Sequence, residues 1–475
     1  MAYPLERQDS AERVSHASTL PVDTIDQPFV DLLVIGGGIN GAGIARDASG
    51  RGMSVLLCEK DELAAHTSSA STKLIHGGLR YLEQYEFGLV RKALIEREVL
   101  MRIAPHLIRP LRFVMPHDRG QRPAWLIRLG LFLYDHLAKR ELLPGSHGID
   151  LRTHPAGAPL KPAFTKGFVY SDAWVDDARL VELNAQDAAE HGATILTHTR
   201  CTALQRHADH WLATLQHADG STRQIHTRTI VNATGPWAAS FLHHTVHGRS
   251  SKSLRLVKGS HIVVRKLFDH DHAYIFQNPD GRIVFAIPYQ HDYTLVGTTD
   301  VEYHGDPDKV AIEAAEVDYL CTLINRYFAH PITPADVVRS FSGVRPLVND
   351  DDHQHATASA ATRDYQLDLD TAGAPILTVF GGKLTTYRKL AEEAVDRLAP
   401  LLQNTNAHWT ATACLPGGDL FGTGPSNKTV LGFDDFLLSK QQQYAMLPPR
   451  IVEQYVRRYG SKVDAALAQS TTPIN

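Results

Sequence analysis

The chain has 475 residues and a net charge of −4, with 43% hydrophobic and 21% charged residues, which describes an ordinary soluble protein of two or three domains. A nucleic-acid partner is not expected, because the basic excess of such proteins is missing. The sequence has no run of about 18 apolar residues, so no transmembrane helix is predicted. The four cysteines lie far apart, so neither a metal site nor a disulfide framework is expected.

The first 28 residues are polar and include Glu6, Asp9, Glu12, Asp23 and Asp26. A secretory signal would need an apolar centre, and a mitochondrial presequence would avoid acidic residues. We therefore predict a disordered tail over residues 1–28.

A dinucleotide site is predicted from the segment that begins at Phe29. An apolar strand leads into Gly36-x-Gly38-x-x-Gly41, a helical stretch and a second strand that ends at Glu59. Gly36 permits the tight turn, and Gly38 lets the backbone approach a pyrophosphate. Gly41 lets the helix pack closely on the strand. The helix N-terminus favours phosphate, and the Glu59 carboxylate can accept from ribose hydroxyls. The motif alone leaves open whether the dinucleotide is NAD or FAD.

Two later segments favour FAD. A predicted β-meander ends in a strand that runs into "ATGPWA" at Gly235, as in flavoproteins that bind FAD in an extended form. Residues 375–400 give another strand, a turn at Gly382 and an amphipathic helix. The N-terminus of that helix could stabilise negative charge on a reduced flavin.

Several motifs together resemble one enzyme family. "TSSASTKLIHGGLRYLEQYEF", "SDAWVDDARLV", "KGSHIVV", "SGVRPL", "TRDY" and "FGGKLTTYRKLAEEA" are similar to the FAD-dependent, quinone-linked sn-glycerol-3-phosphate dehydrogenases, within the D-amino-acid-oxidase-like flavoproteins. The resemblance runs from about Asp31 to about Leu415 and returns near "YVRRYGSK".

The resemblance implies an α/β fold class, α+β overall, with a Rossmann-like FAD-binding domain and an antiparallel substrate domain. The expected divisions are residues 29–253 for the FAD domain with a helical insertion at about 85–165, 254–374 for the antiparallel sheet, 375–400 for a return segment, and 401–475 for a helical region. This last region is shorter than the family pattern, and "DLFGTGPSNKTVLGFDDF" does not match it well.

The stretch 68–80 combines hydroxyls, cations and paired glycines, and the resemblance places it beside FAD. The residues expected to contact the cofactor, in addition to the glycines and Glu59 above, are Ser69, Ser71, Thr72, Lys73, Gly77 and Thr385. For the serines and threonines, helix capping and turn formation are the alternative explanation.

His76 is the leading candidate for the base that removes the proton of a substrate hydroxyl, because its pKa suits proton transfer near neutral pH. The chain has 26 histidines, so a structural histidine is the alternative, and His261 is the second candidate.

The substrate phosphate requires cations, and arginine binds phosphate with two parallel hydrogen bonds. Arg345 and Arg363 are expected on the phosphate and Arg80 on the phosphate or the glycerol oxygens, with surface ion pairs as the alternative. Lys383 is expected to polarise the substrate oxygen or stabilise the reduced flavin, and Tyr81 to line the pocket.

Residues 122–140 form the most apolar helical segment and carry four cations. One interpretation is a helix that lies on a membrane surface, and the other is a buried helix with its charged ends in water. The apolar residues cover more than one face, which favours the buried helix. The resemblance nevertheless implies peripheral attachment to the cytoplasmic side of the inner membrane.

The resulting prediction is a flavoenzyme that oxidises sn-glycerol 3-phosphate to dihydroxyacetone phosphate and passes electrons to membrane quinone. A homodimer is one option for its assembly, and the sequence does not decide the oligomeric state. The alternatives are an oxidase that makes hydrogen peroxide, a family member acting on an amino or hydroxy acid, and a flavin-binding protein without activity.

Overall fold

The computed structural model describes residues 29–118, 120–248, 252–278, 280–349 and 364–470. The predicted disordered tail, residues 1–28, lies outside the described residues. No helix in the described ranges is both long and apolar enough to cross a membrane.

Strands and helices are interspersed along the whole described chain. The strands are β1 (Phe29–Ile35), β2 (Val55–Cys58), β3 (Leu74–Ile75), β4 (Ile108–His117), β5 (His147–Asp150), β6 (Lys166–Val175), β7 (Thr194–Leu196), β8 (Thr199–Arg206), β9 (Trp211–His217), β10 (Thr222–Asn232), β11 (Ser253–Arg265), β12 (Ala273–Gln277), β13 (Ile283–Tyr289), β14 (Tyr293–Gly297), β15 (Val301–Glu302), β16 (Val337–Asn349), β17 (Gln366–Asp370) and β18 (Ile376–Phe380). The α-helices are α1 (Ile39–Gly50), α2 (Phe87–Ile103), α3 (Ala124–His136), α4 (Asp177–Glu190), α5 (Ala238–His244), α6 (Ala314–Tyr327), α7 (Tyr387–Leu398), α8 (Asn427–Leu431), α9 (Phe433–Gln443), α10 (Pro449–Tyr459) and α11 (Val463–Ser470). Short 3₁₀ helices occur at Leu79–Gln84, Pro155–Gly157, Gly235–Trp237, Pro307–Lys309, Pro334–Asp336 and Gly460–Lys462.

The first sheet has the strand order β17-β18-β10-β1-β2-β7, and its five strands from β18 to β7 are parallel. β17 is antiparallel to β18, and a ribbon of β8 and β9 extends β10. Helices α1, α4 and α7 cover one face, where Val34, Ile44, Leu377 and Leu390 share a buried core. A strand–glycine turn–helix unit in a parallel sheet with helices on one face is a Rossmann-like α/β arrangement, as the glycine motif predicts.

The second sheet is mainly antiparallel, with the order β15-β11-β14-β13-β12-β4-β6-β3; β16 pairs with β11 and β5 with β6. The strands β3, β4 and β6 at one end of this sheet come from residues 74–175. The prediction was different: it placed the whole antiparallel sheet in residues 254–374 and a helical insertion at about 85–165. β4 pairs with β6 from Ile108 opposite Val175 to His117 opposite Lys166. β17, also within 254–374, instead joins the first sheet. The observed sheets therefore interleave along the chain more than the predicted divisions allow.

Helix α3 packs on the second sheet with one side only. Ala124, Ile127, Leu131 and Tyr134 repeat every three to four residues and contact the core beneath the helix. On the other side the large apolar residues are exposed, with Trp125 at 69% and Phe132 at 50%. The preferred prediction that residues 122–140 form a buried helix is therefore wrong, because its additional apolar residues face outward.

The C-terminal helices form a small cluster of their own. Phe433 and Phe436 of α9 pack with Val452 and Val456 of α10 and with Val463 of α11. His106 lies where this region meets the body of the protein, close to the backbone of Gly417 and Gly460. The described helices of this region begin at Asn427 and residues 401–426 are turns and irregular backbone, so the division at residue 401 stays a prediction.

Candidate functional site

The glycine motif forms the turn between β1 and α1. Gly36 has a φ of 113° and donates its N–H to the Cys58 carbonyl at 2.9 Å, which ties the turn to β2. Gly38 is the extended residue that precedes α1. A Cβ on Gly41 would lie 1.9 Å from the Gly36 oxygen, so Gly41 permits the close approach of helix and turn. The helix N-terminus therefore opens at the carboxyl edge of the parallel sheet, where phosphate groups bind.

Glu59 follows β2 and is almost fully buried beside this turn. Its Oε2 accepts the Gly37 N–H at 2.6 Å and its Oε1 accepts the Asp61 N–H at 2.9 Å. Two backbone donors fix the carboxylate, which keeps further lone pairs for ribose hydroxyls. Glu59 also lines the large cavity described next.

A cavity of about 720 Å³ runs from the carboxyl edge of the first sheet to the second sheet, a size within the usual range for ligand pockets. Of the residues predicted to hold the cofactor, those on its wall are Gly36, Gly38, Glu59, Ser71, Thr72, Gly235, Gly382 and Thr385. Of the residues predicted for catalysis and substrate, those on its wall are His76, Arg80, Tyr81, His261, Arg345 and Lys383. Arg363 lies outside the described residues.

Ser69, Lys73 and Gly77, although predicted to contact the cofactor, are not among the described residues of the cavity wall. The Ser69 hydroxyl donates to the His66 carbonyl at 3.2 Å, and the Lys73 ammonium lies 2.5 Å from Asp177 Oδ1. Ser71 Oγ also donates to Asp177, at 2.6 Å, while still facing the cavity. Cofactor contacts of Ser69 and Lys73 are therefore not supported by their positions; these side chains hold the loop in shape.

His76 follows β3, and its backbone N–H donates to Thr385 Oγ1 at 3.2 Å. This bond joins a segment of the second sheet to the start of the α7 region after β18. Gly78 has a φ of 76°, and a Cβ there would lie 2.2 Å from the Tyr81 ring. Gly78 thus brings backbone, rather than a side chain, to the cavity wall beside His76.

His261 is a buried histidine on β11. Its Nε2 is 3.0 Å from Thr72 Oγ1, and its ring stacks on Phe341 at 4.9 Å between centroids. Burial, and then the positive charges of Arg345 and Lys73, lower the pKa of His261 to about 3. The ring is therefore neutral near pH 7 and is a weak base compared with an ordinary histidine.

Three cations line the cavity. Arg345 on β16 donates to the Thr299 carbonyl at 2.7 Å, has Asp300 at 3.6 Å, and leaves 31% of its side chain exposed. The Lys383 ammonium lies 4.0 Å from the centre of the Tyr81 ring, and Arg80 is adjacent in sequence to that tyrosine. Guanidinium and ammonium groups on the wall of one cavity favour an anionic ligand such as a phosphate.

Ser68, Asn40 and Trp237 are among the residues of the cavity wall that were not named as site residues from the sequence. Ser68 Oγ accepts the Ile39 N–H at 3.0 Å, next to the start of α1. Asn40 Nδ2 donates to the Gly381 carbonyl at 3.1 Å, while its buried Oδ1 has no hydrogen-bond partner among the described residues. Trp237 packs against Lys60, whose ammonium is 4.1 Å from the ring centre. Asn40 was detectable, since a polar residue between Gly38 and Gly41 lies in the first turn of α1.

The sequence suggested no metal site. Ligand atoms of Glu59, Asp61 and His66 do lie within 4.8 Å of one another. His66 Nε2 is already paired with Asp61 at 2.8 Å, and Glu59 holds the glycine turn. We assign these side chains to the architecture of the dinucleotide site.

The glycine turn and the cavity beside it suit a dinucleotide, and the comparisons with known proteins agree. Residues 31–388 match the model of the DAO family, described as FAD dependent oxidoreductase. The chain belongs to this family of FAD-dependent oxidoreductases. The class and the cofactor predicted from the motifs are therefore confirmed.

Individual relatives are more specific. The chain is 51% identical over 440 residues to D-erythritol 1-phosphate dehydrogenase of Brucella abortus, covering 92% of this chain and 86% of that protein. It is 52% identical over 435 residues to glycerol-3-phosphate dehydrogenase of Pseudomonas aeruginosa, covering 91% and 82%. Among solved structures, the glycerol-3-phosphate dehydrogenase of Bacillus halodurans complexed with FAD superposes with a TM-score of 0.74 at 29% identity, covering 92% and 77%. The predicted family resemblance is thus confirmed.

Proposed function

We propose that the protein oxidises sn-glycerol 3-phosphate to dihydroxyacetone phosphate. The observation that carries this proposal is that Arg80, Arg345, Lys383 and His76 all line one cavity that also reaches the glycine turn. Relatives about 50% identical over most of the chain act on phosphorylated polyols, as their names state. A substrate with a phosphate group and a secondary alcohol would use both the cations and the histidine on this wall.

In the proposed reaction, C2 of the substrate loses a hydride and its hydroxyl loses a proton. FAD supplies the two-electron acceptor when it is bound. Arg345 and Arg80 hold the phosphate, and Lys383 polarises the C2 oxygen so that its proton leaves more readily. The imidazole of His76 takes that proton.

His76 is preferred to His261 as the base. A pKa of about 3 makes the His261 ring a poor proton acceptor. Thr72 and Phe341 also fix its orientation. We therefore give His261 the role of shaping the wall between Arg345 and the Thr72 loop.

Reduction of the flavin under anaerobic conditions tests the substrate and the phosphate clamp together. Addition of sn-glycerol 3-phosphate should bleach the oxidised flavin band, and glycerol should not. Arg345→Ala should weaken substrate binding by about 10- to 150-fold, the loss of charge-assisted hydrogen bonds worth about 1.5–3 kcal/mol. Arg152→Ala, at a surface ion pair with Asp150, is the matched control and should bind substrate as the unaltered protein does.

D-erythritol 1-phosphate is the second candidate, because a relative that carries this substrate in its name is 51% identical. Its chain is one carbon longer, so the two substrates differ in the space needed beyond the reacting carbon. Comparison of the two reduction rates at equal concentration decides between them. A flavin band that neither compound bleaches would contradict the proposed activity.

We propose membrane quinone as the electron acceptor and peripheral attachment to the inner face of the cytoplasmic membrane. The exposed side of α3 supports this placement, since Trp125 and Phe132 face outward and the flanking Arg122 and Lys139 side chains are 53% and 85% exposed. Aromatic residues with nearby cations suit the surface of anionic lipids.

Sedimentation with vesicles of anionic phospholipid tests the attachment. Trp125→Glu together with Phe132→Glu should release the protein into the supernatant. Met446→Glu is the control, because this residue is 82% exposed and lies between α9 and α10 rather than on α3. Equal sedimentation of the double variant and the control would contradict a role for α3. Peroxide release in place of quinone reduction would indicate an oxidase.

A further inference from the structure

We propose that Tyr134, together with Asp172 and Arg97, positions the backbone of the His76–Gly78 segment for catalysis. These three side chains, the Gly77 anchor, belong to α3, β6 and α2 respectively. Asp172 reaches the cavity wall, whereas Tyr134 and Arg97 are not among the described residues that line it. The kinetic part of this inference rests on the proposed function, while its spectroscopic part does not.

The anchor is a connected set of hydrogen bonds. The Tyr134 hydroxyl accepts the Gly77 N–H at 2.8 Å and donates to Asp172 Oδ1 at 2.7 Å. The same carboxylate oxygen is 3.3 Å from the Gly77 nitrogen. Arg97 donates to Asp172 Oδ1 at 2.6 Å and to the Ser171 carbonyl at 2.9 Å. One backbone N–H of the catalytic segment is therefore held by a tyrosine that an ion pair orients.

Burial makes the anchor rigid. Arg97, Tyr134 and Asp172 are each exposed by 3% or less. Burial raises the pKa of Tyr134 well above its usual range, so the phenol keeps the proton that it donates to Asp172. The Arg97 charge compensates the carboxylate, which would otherwise be costly at this depth.

The anchor packs so closely against Gly77 that there is no room for a side chain at this position. A Cβ on this residue would lie 2.5 Å from a Leu94 methyl carbon and 2.6 Å from the Tyr134 oxygen. The backbone thus rests directly on the anchor, and His76 and Gly78 on either side line the cavity. Tyr134 therefore acts through this segment, as a positioning residue.

Tyr134→Phe removes one hydroxyl and leaves the Arg97–Asp172 pair intact. The Gly77 N–H then keeps only the longer contact with Asp172. The matched control is Tyr327→Phe, which removes a hydroxyl that donates to the Gln277 carbonyl at 2.6 Å, on a buried residue outside the cavity wall. Both variants are measured as FAD-loaded enzymes.

The first readout is the anaerobic reduction of the flavin by sn-glycerol 3-phosphate, followed in a stopped-flow instrument. Tyr134→Phe should lower the rate at saturating substrate by about tenfold and change the substrate dissociation constant by less than about threefold, because Arg345 on β16 is far from the anchor in the chain and keeps its place on the phosphate. Tyr327→Phe should leave both quantities unchanged. A lower melting temperature with an unchanged reduction rate in Tyr134→Phe would overturn the inference, since that is the result of a purely structural role.

The second readout separates failure of this inference from failure of the proposed function. If the unaltered protein is not reduced by this substrate, the proposed function fails, and the flavin absorption band and dye-equilibrated midpoint potential still report on the segment. A change in either quantity for Tyr134→Phe, absent from Tyr327→Phe, would support the anchor. Identical spectra and potentials in the unaltered protein and both variants would overturn it.

Discussion

Gly41→Ala should disrupt the dinucleotide site although Gly41 is not on the described cavity wall. The new Cβ would lie 1.9 Å from the Gly36 oxygen, which is 1.5 Å inside the 3.4 Å at which ordinary contact begins. The obstacle is backbone, and Gly36 is held by its hydrogen bond to Cys58, so the clash cannot be relieved by a side-chain rotation. The free energy of unfolding should fall by about 3 kcal/mol or more, which is the upper end of the range for overpacked cores.

Gly130→Ala is the matched control for this substitution. Gly130 lies inside α3, and a Cβ there has no atom within 4 Å. Alanine in a helix interior is more favourable than glycine by about 0.5–1 kcal/mol, so this variant should be slightly more stable than the unaltered protein.

Flavin content after purification and the melting temperature of the loaded protein measure both effects. Gly41→Ala should lose bound FAD and melt at a lower temperature, whereas Gly130→Ala should keep its FAD and melt at an equal or higher temperature. Full flavin occupancy with an unchanged melting temperature in Gly41→Ala would refute the argument that the helix must touch the turn.

Three further predictions concern buried charges and can be checked by melting curves between pH 4 and pH 8. Burial raises the pKa of Asp47 from 3.8 to about 6, so the folded state loses stability as the pH rises through this window, and Asp47→Asn should remove that part of the pH dependence. The same substitution takes a buried partner from Arg51, whose Nη2 lies 2.6 Å from Asp47 Oδ2, so the test is the slope of stability with pH and not the melting temperature at one pH. Burial lowers the pKa of His106 from 6.5 to about 3, so stability is lost as the pH falls below about 6.5, and His106→Phe should reduce that loss. Lys73→Met leaves the Asp177 carboxylate buried without its ammonium partner and should cost about 3 kcal/mol or more, while Arg152→Met at an exposed pair should leave the melting temperature unchanged. Equal melting temperatures for these last two variants would contradict the importance of burial.

The glycine turn with its flanking strands and helix was predictable because its signal is local, whereas the choice of FAD needed the later segments around Gly235 and 375–400. Gly36, Gly38, Gly41 and Glu59 lie within 24 residues, and the strand–turn–helix pattern around them specifies one geometry. The second sheet was assigned too narrowly, because β4 and β6 find each other across about 50 residues of chain that contain α3 and β5. Such pairing depends on the whole tertiary fold, which a local pattern does not record.

The loop from Ser68 to Lys73 shows why individual site residues were harder to predict from the sequence than the fold. The family motif identified the loop, but irregular backbone has no period from which the direction of each side chain follows. Ser68 meets the start of α1, while Lys73 turns to Asp177, which is 104 residues away in sequence. The ion pair with Asp177 therefore holds the Lys73 ammonium away from the cavity, and the loop sequence alone does not show this.

The proposed chemistry depends on contact between the two sheets. His261 and Arg345 belong to β11 and β16, which pair with each other, so these two residues move together. Lys383 and Thr385 follow β18 of the first sheet, and the bond from His76 N–H to Thr385 Oγ1 joins the two sides. A displacement of one sheet against the other would therefore separate the residues that act on the C2 hydroxyl more than it would disturb Arg345 and its neighbours. For this reason the Gly77 anchor, which holds the second-sheet side of that junction, should affect the reaction rate more than the binding of phosphate.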